Sequence, residues 1–227
     1  MRKDIKVIYF DLFFTLIKPK NNAFRNENDV LGITEEEWER YAEDKELYRR
    51  RALGKVKNPD KIIDDILAKM KIKVSQQQKK EILSLREERY KRALIEVEPK
   101  VLKVLDNLKA RGKKLCLISN ADVIDVMHWH ESPLKDLFDE TIFSYEVGYI
   151  KPQLEIYLRA LEKMKVDPES SIFIGDGGAD ELKGAKMLGI NTALTVYLLK
   201  RDIKQHNAIK KYADYYIEDF EDINNIL

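Results

Sequence analysis

One stretch near the N-terminus, Val7–Thr15, limits most strongly what this chain can fold into. Four apolar residues are followed there directly by the carboxylate of Asp11. A short apolar run of this kind is typical of a strand covered on both faces of a parallel sheet, and such sheets bind ligands at the carboxyl ends of their strands. Asp11 is therefore a candidate nucleophile, and Thr15 is placed to hydrogen-bond to it. On this segment alone, an Asp that only caps the turn explains the pattern equally well.

Two further segments place polar side chains beside an expected strand or helix. Ser119 and Asn120 follow the apolar run Leu115–Ile118, and their hydroxyl and amide groups can donate to phosphoryl or carboxylate oxygens. Lys151 precedes Pro152, which starts an amphipathic helix. Taken singly, the first pattern is also that of an ordinary turn and the second that of a solvated surface lysine.

A fourth segment repeats the pattern of the first. The apolar run Ile172–Ile174 leads through a glycine to Asp176, and two more acids, Asp180 and Glu181, follow closely. Oxygen ligands from two strand ends suit Mg²⁺, which binds few carboxylates and keeps waters or substrate phosphate in its other positions. The sequence therefore predicts a magnesium site shared by Asp11 and Asp176.

Taken in order, Asp-x-x-x-Thr, Ser-Asn, Lys-Pro and Gly-Asp-Gly-Gly resemble the four motifs of the haloacid dehalogenase-like hydrolase superfamily. No single motif is specific, but the ordered set is. The resemblance runs from Lys6 to the end of the chain and is only general over residues 20–95. It implies an α/β fold with a Rossmann-like parallel sheet core and an inserted all-helical cap that covers the active site and chooses the substrate.

The resemblance also implies covalent catalysis, in which Asp11 attacks the substrate to form an aspartyl ester or aspartyl phosphate. Ser119 matches the hydroxyl that holds the transferred group, and Lys151 matches the cation that neutralises nucleophile and phosphate. The implied residues are Asp11, Thr15, Ser119 and Lys151 for catalysis; Ser119, Asn120 and Lys151 for substrate binding; Asp11, the Phe13 backbone carbonyl and Asp176 for Mg²⁺; and Gly177, Asp180 and Glu181 in support.

Phe13 departs from the pattern of the superfamily's phosphatases, which carry a second Asp at that position. That Asp protonates the leaving group and later activates water, and a phenyl ring can do neither. Dehalogenase members are similar to this chain in having an aromatic residue there, since halide leaves without a proton. Those members generally lack the carboxylate that matches Asp176, however, and its presence favours a metal-dependent phosphatase.

A second departure is Phe14, where the family usually has glycine. If the tight turn needs a positive φ at this position, phenylalanine is strained there. Glu181 stands where an Asp is more usual, and its longer side chain could still reach a metal-bound water.

The composition fits a cytoplasmic protein. The 227 residues can bury a sizeable core, and 41 Lys and Arg against 40 Asp and Glu leave a nearly neutral chain, which argues against a surface that coats nucleic acid. The single Cys116 lies inside an apolar run, so no internal disulfide is expected. The sequence shows no signal peptide and no apolar run of about 18 residues, and we expect no membrane association.

Residues between the first two motifs have a helical period. Capping patterns begin helices after Thr34, Asn58 and Ser75, and the first is predicted to run to Gly54. On it, Arg49, Arg50 and Arg51 are interpreted as a solvated face rather than an anion-binding clamp. The predicted domains are residues 1–16 and 97–227 for the two parts of the α/β core and residues 17–96 for the helical cap. Later strands are predicted at Thr141–Ser144, Ser171–Ile174, Thr192–Val196 and Tyr215–Ile217.

These observations predict a Mg²⁺-dependent hydrolase of small phosphorylated metabolites that forms an aspartyl phosphate on Asp11. Two alternatives stay open: a 2-haloacid dehalogenase that works through an aspartyl ester, and a catalytically weak relative that binds a ligand or partner. Asp176 argues against the first, and Phe13 with Phe14 is the feature that favours the second. The expected partner is a small phosphorylated molecule, with no nucleic acid and no membrane.

Overall fold

One parallel sheet forms the centre of the molecule, which the computed structural model describes over residues 4–227. Its strands in that range are β1 (Val7–Phe10), β2 (Lys114–Ser119), β3 (Glu140–Phe143), β4 (Ser171–Gly175), β5 (Asn191–Thr195) and β6 (Tyr215–Ile217). They lie in the order β3-β2-β1-β4-β5-β6, and every neighbouring pair is parallel. This is the order of a doubly wound sheet, in which the winding direction reverses beside β1.

Helices account for most of the remaining chain. They are α1 (Glu27–Leu31), α2 (Glu35–Ala42), α3 (Lys45–Ala52), α4 (Pro59–Met70), α5 (Gln76–Ile95), α6 (Pro99–Ala110), α7 (Val123–Val126), α8 (Ser144–Val147), α9 (Leu154–Met164), α10 (Glu181–Met187), α11 (Ile203–Lys210) and α12 (Ile223–Ile226). The first five, which we call the helical segment, lie between β1 and β2 and contain no strand. The predicted fold class, a Rossmann-like parallel core with an inserted helical unit, is confirmed. The domain boundaries at residues 16 and 96 stay a prediction.

Alternate side chains of β1 supply two apolar layers, one on each face of the sheet. Val7 and Tyr9 pack with residues of α9 and α10, whereas Ile8 and Phe10 pack with residues of α6 and α12. The helical segment has a separate apolar cluster around the fully buried Trp38. Because both faces of the sheet are covered, the strands can be apolar throughout, as the sequence predicts.

The prediction of one continuous helix from Thr34 to Gly54 is wrong. The chain forms α2 and α3 instead, separated by Glu43 and Asp44. The Asp44 carboxylate accepts hydrogen bonds from the backbone N–H groups of Glu46 and Leu47, at 3.1 and 3.2 Å. A short acidic side chain that satisfies free N–H groups favours a new helix start over continuation of the old helix.

The turn after Asp11 has the conformation that the family's glycine would favour. Phe14 has φ of 60°, and its N–H donates to the Ile17 carbonyl at 2.6 Å. The strain expected for phenylalanine at a positive φ is therefore present, at a cost of about 1–2 kcal/mol.

Across residues 4–227, we find no helix with both the length and the apolar character needed to cross a membrane. The expectation that no signal peptide precedes β1 rests partly on the first three residues, which lie outside the described range.

Candidate active site

Asp11 and Asp176 lie side by side because their strands are neighbours in the sheet. Phe10 of β1 pairs with Ile174 of β4, and the Asp11 N–H donates to the Ile174 carbonyl at 3.0 Å. Asp11 comes directly after β1 and Asp176 directly after β4, at the edge of the sheet where the winding direction reverses. This is the position at which doubly wound sheets bind their ligands.

The Asp11 carboxylate is buried and held by two donors. The Thr15 hydroxyl donates to Oδ2 at 2.9 Å, and the Lys151 ammonium donates to Oδ1. Burial raises the pKa of Asp11, Lys151 opposes that rise, and the nearby Asp176 adds to it, so the net direction is upward. Thr15 therefore forms the hydrogen bond to Asp11 that the sequence predicts, and Lys151 supplies a positive charge beside the carboxylate.

Lys151 also bridges to Glu181, whose Oε2 accepts from the lysine at 2.6 Å. Burial alone would lower the pKa of Lys151, but Asp11 and Glu181 outweigh it and raise this pKa. Lys151 is therefore a buried cation with only 2% of its surface exposed, not a solvated surface residue. Burial is the main cause that raises the pKa of Glu181 well above its ordinary value, and the negative charge of Asp11 raises it further.

Two glycines let Glu181 reach this position. A Cβ atom on Gly175 would overlap the Glu181 carboxylate, and the Gly177 N–H donates to Glu181 Oε1 at 2.9 Å. Gly177 has φ of 82°, in the left-handed region that favours glycine. By contrast, the side chain of Asp180 is exposed. Of the acids after Asp176, it is Glu181 that joins the cluster.

Arg201 is a member of the site that the sequence analysis did not identify. Its Nη2 donates to Asp176 Oδ2 at 2.5 Å, and its Nη1 donates to the Asp176 carbonyl. Arg201 lies between β5 and α11 in a stretch rich in charged residues, so composition gave no signal that would distinguish it. Asp176 is thus paired with a cation, as Asp11 is.

Three buried carboxylates form a cluster with the chemistry of a divalent cation site. Ligand oxygens of Asp11, Asp176 and Glu181 all lie within 4.8 Å of one another. When all three carboxylates are ionised they outnumber the two cations Lys151 and Arg201, and a dianionic phosphate would add to that negative charge. A hard divalent cation with oxygen ligands would offset that charge, and the donor set fits Mg²⁺.

Asn120 and Ser119 contribute differently from one another. The Asn120 amide donates to the Lys151 carbonyl at 3.1 Å and accepts from the Lys151 N–H at 2.7 Å, so it fixes the backbone of the lysine. Ser119 is fully buried, and its hydroxyl donates to the Asn120 carbonyl at 3.3 Å. Asn120 therefore lines the cleft and binds the lysine segment, whereas Ser119 is not among the residues that line the cleft.

A cleft of about 300 Å³ opens above the carboxylate cluster. Phe13 lies on its wall, where its ring packs edge to face against Tyr90 with centroids 5.6 Å apart. From the helical segment, the Tyr48 hydroxyl donates to the Asn120 carbonyl at 3.0 Å. The cleft is lined by Asp11, Phe13, Phe14, Tyr48, Asn120, Lys151, Asp176, Gly178, Ala179, Glu181, Leu199 and Arg201.

The expectation that Arg49, Arg50 and Arg51 form a solvated face is wrong for Arg51. Its side chain is 2% exposed, and its Nε lies 2.6 Å from the carboxylate of Asp122, at the start of α7. Arg49 and Arg50 are exposed, as expected. The acidic partner is far away in sequence, so only tertiary packing brings the two charges together.

A model of the haloacid dehalogenase-like hydrolase family matches residues 5–189, and the chain belongs to this family. Several curated relatives are named glyceraldehyde 3-phosphate phosphatase. The one from Methanocaldococcus jannaschii is 32% identical over 138 residues, which cover 60% of this chain and 58% of the relative. The one from Methanothermobacter thermautotrophicus is 29% identical over 138 residues, 60% of each chain. The chain thus matches about three fifths of the length of these relatives.

Solved structures share the fold. A family enzyme from Bacteroides thetaiotaomicron, in complex with magnesium and inorganic phosphate, has a TM-score of 0.64 at 24% identity, covering 88% of this chain and 98% of its own. A dehalogenase with an intermediate complex has a TM-score of 0.67 at 16% identity, covering 100% and 99%. At these identities the likeness is one of fold, and phosphate-binding and dehalogenase structures both have it.

Proposed function

We propose that this protein hydrolyses small phosphate monoesters with Mg²⁺, through an aspartyl phosphate on Asp11. The observation that carries the proposal is the placement of one buried carboxylate, Asp11, between an orienting hydroxyl, a buried lysine and two further carboxylates at a cleft. A nucleophile, a charge-compensating cation and a metal-binding donor set are what this chemistry requires.

In the first step, an Asp11 oxygen attacks phosphorus and the bond from phosphorus to the leaving-group oxygen breaks. Thr15 holds the carboxylate in one orientation, and Lys151 stabilises the negative charge shared between carboxylate and phosphoryl oxygens. Ser119, as the family pattern implies, holds the transferred phosphoryl group. The alcohol leaves with the electron pair of the broken bond and takes its proton from solvent, because Phe13 cannot supply one.

In the second step, water attacks phosphorus and the bond to Asp11 breaks, which releases inorganic phosphate and restores the carboxylate. The proton of this water passes to the released phosphate or to solvent, because no acidic side chain at position 13 removes it. Because the alcohol departs in the first step without an acid to protonate it, we expect slow turnover for poor leaving groups.

Asp11, Asp176 and the Phe13 carbonyl would hold Mg²⁺, with Glu181 as a further carboxylate within reach. A bound magnesium ion supplies Lewis-acid stabilisation of the phosphoryl oxygens and offsets the surplus negative charge of the cluster. The magnesium and phosphate in the complex from Bacteroides thetaiotaomicron support this assignment.

The helical segment would act as a cap, with the division near residues 16 and 96 that the sequence predicts. Tyr48 supports this role, because it comes from the helical segment, lines the cleft and bonds to the backbone beside the lysine. The names of the relatives from Methanocaldococcus jannaschii and Methanothermobacter thermautotrophicus support a three-carbon or similarly small phosphorylated substrate.

A 2-haloacid dehalogenase is the second candidate, favoured by the aromatic ring at Phe13 and opposed by the carboxylate at Asp176. One experiment separates the two: a panel of metabolite phosphates assayed with Mg²⁺ and with EDTA, beside chloride release from 2-chloropropionate. We expect phosphate release that depends on Mg²⁺ and no chloride release. Chloride release unaffected by EDTA would assign the dehalogenase instead. Binding of phosphate esters without turnover would assign a catalytically weak ligand-binding protein.

A further inference from the structure

Asp176 is the carboxylate on which Arg201 and the proposed Mg²⁺ site both depend. Arg201 binds it at two points, because Nη2 donates to Oδ2 at 2.5 Å and Nη1 donates to the Asp176 carbonyl. The other carboxylate oxygen, Oδ1, accepts from the Gly178 N–H at 3.0 Å. Both carboxylate oxygens therefore already accept a hydrogen bond, and the bond at Oδ2 comes from a group with a full positive charge.

A magnesium ion on Asp176 would lie close to the positive charge of Arg201. Mg²⁺ binds carboxylate oxygens at about 2.0–2.1 Å, so an ion on Oδ2 would lie within about 5 Å of the guanidinium nitrogen that donates to the same oxygen. Asp176 is buried, so water screens the repulsion between the two cations only in part. The metal must therefore either bind against this repulsion or displace the arginine, and either event lowers its affinity.

The guanidinium of Arg201 has room to move away from Asp176. Its side chain is 18% exposed, whereas that of Lys151 is 2% exposed and is held between two carboxylates. Arg201 lines the cleft and also a second cavity, of about 320 Å³, beside β6 and α11. Glu218 lines that second cavity with an exposed side chain, which offers the guanidinium another anionic partner. Of the two cations at the cluster, Arg201 is therefore the one that can be displaced.

We propose that Arg201 competes with Mg²⁺ for the Asp176 carboxylate and so sets the affinity of the site for the metal. Arg201 neutralises Asp176 when Mg²⁺ is scarce and releases it when Mg²⁺ binds. The occupancy of the site then depends on the concentration of free Mg²⁺ more steeply than three unopposed carboxylates would require. This inference rests on the Mg²⁺ of the proposed function and adds a residue that controls its binding.

Calorimetric titration with magnesium chloride alone tests the competition. Arg201→Met removes the positive charge but keeps an unbranched side chain, so the Kd for Mg²⁺ should fall on the order of tenfold or more. Arg201→Lys keeps the charge but cannot bind Asp176 at two points, so its Kd should lie between those of wild type and Arg201→Met. The matched control is Lys200→Met, because Lys200 is exposed next to Arg201 and does not line the cleft. Its Kd should stay within about twofold of wild type, since exposed charges are screened.

Thermal unfolding distinguishes competition from a purely structural role of Arg201. In EDTA, Arg201→Met should melt below wild type, because the buried Asp176 has lost its cationic partner. When Mg²⁺ is added at the same concentration to both proteins, the melting temperature of the variant should rise more, because a tighter ligand stabilises the folded state more. A residue with only a structural role would lower the melting temperature equally with and without Mg²⁺.

The binding results separate this inference from the proposed function. If wild type binds Mg²⁺ and a folded Arg201→Met protein binds it equally or more weakly, the competition is overturned while the proposed function stands. If the variant binds Mg²⁺ and wild type does not, the competition is supported while wild type is not a Mg²⁺-dependent phosphatase. If neither protein binds Mg²⁺, the inference fails together with the metal of the proposed function.

Discussion

The buried carboxyl group of Asp125 should make the free energy of unfolding depend on pH. Burial, together with the neighbouring Asp122, raises the pKa of Asp125 from 3.8 to about 8. Between these values the folded protein holds a proton that the unfolded chain has lost, so the free energy of unfolding falls as pH rises. The stabilisation is complete below the unfolded pKa and is lost by the time pH exceeds the folded pKa.

Asp125→Asn should remove this pH dependence, because asparagine is neutral at every pH and nearly the same shape. One pKa unit corresponds to about 1.4 kcal/mol, so the advantage of the variant should grow by about 1.4 kcal/mol for each pH unit above about 4. It should level off near pH 8, the folded pKa, at a total on the order of 5 kcal/mol.

Urea unfolding of both proteins from about pH 5 to about pH 9 measures the difference directly, and the contributions of groups that both proteins share cancel. Asp106→Asn is the control, because Asp106 is exposed on α6, and its difference from wild type should not change across this range. A difference for Asp125→Asn that is flat from pH 5 to pH 9 would show that Asp125 is not a neutral buried acid.

Three other changes have definite expected results. Lys151→Met leaves two buried carboxylates without their cation, so it should abolish turnover and lower the free energy of unfolding by about 3–5 kcal/mol. The control Lys183→Met, at an exposed position, should change thermal stability little. Equal melting temperatures for the two variants would contradict this expectation. Asp176→Ala should eliminate Mg²⁺ binding in calorimetry and metal-dependent turnover while the protein stays folded, and full wild-type activity in EDTA would reject a metal role. Wild type should hydrolyse p-nitrophenyl phosphate about 10²–10⁴ times faster than glycerol phosphate, because the first leaving group departs without an acid. Phe13→Asp should reduce the ratio of these two rates. If wild type hydrolyses both esters at similar rates, another group supplies the proton.

The sequence predicted the sheet and its catalytic edge because both follow from local pattern. Apolar runs that end in Asp11 and Asp176 determine two parallel strands, and neighbouring parallel strands bring their ends together. The strand predictions at Ser171–Ile174 and Tyr215–Ile217 agree with β4 and β6 to within one residue. The family pattern then indicated which polar residues lie at that edge.

Other features depend on contacts between residues far apart in sequence. Arg51 looked like a surface residue until packing placed it against Asp122, and Arg201 had no pattern that linked it to Asp176. The break between α2 and α3 depends on one side-chain cap at Asp44, which competes locally with helix continuation. Periodicity in the sequence carries no information about such pairings, so the Arg51 and Arg201 contacts became visible only in the structure.

The proposed aspartyl phosphate is tested most directly by the turnover of Asp11→Asn on p-nitrophenyl phosphate with Mg²⁺. Asparagine keeps the shape of the side chain and its bond from Thr15 but lacks the nucleophilic charge. The account predicts that phosphate release falls to the rate of the buffer alone, while the variant retains the cooperative thermal unfolding of a folded protein. Turnover equal to that of wild type would exclude Asp11 as the nucleophile and with it the proposed mechanism.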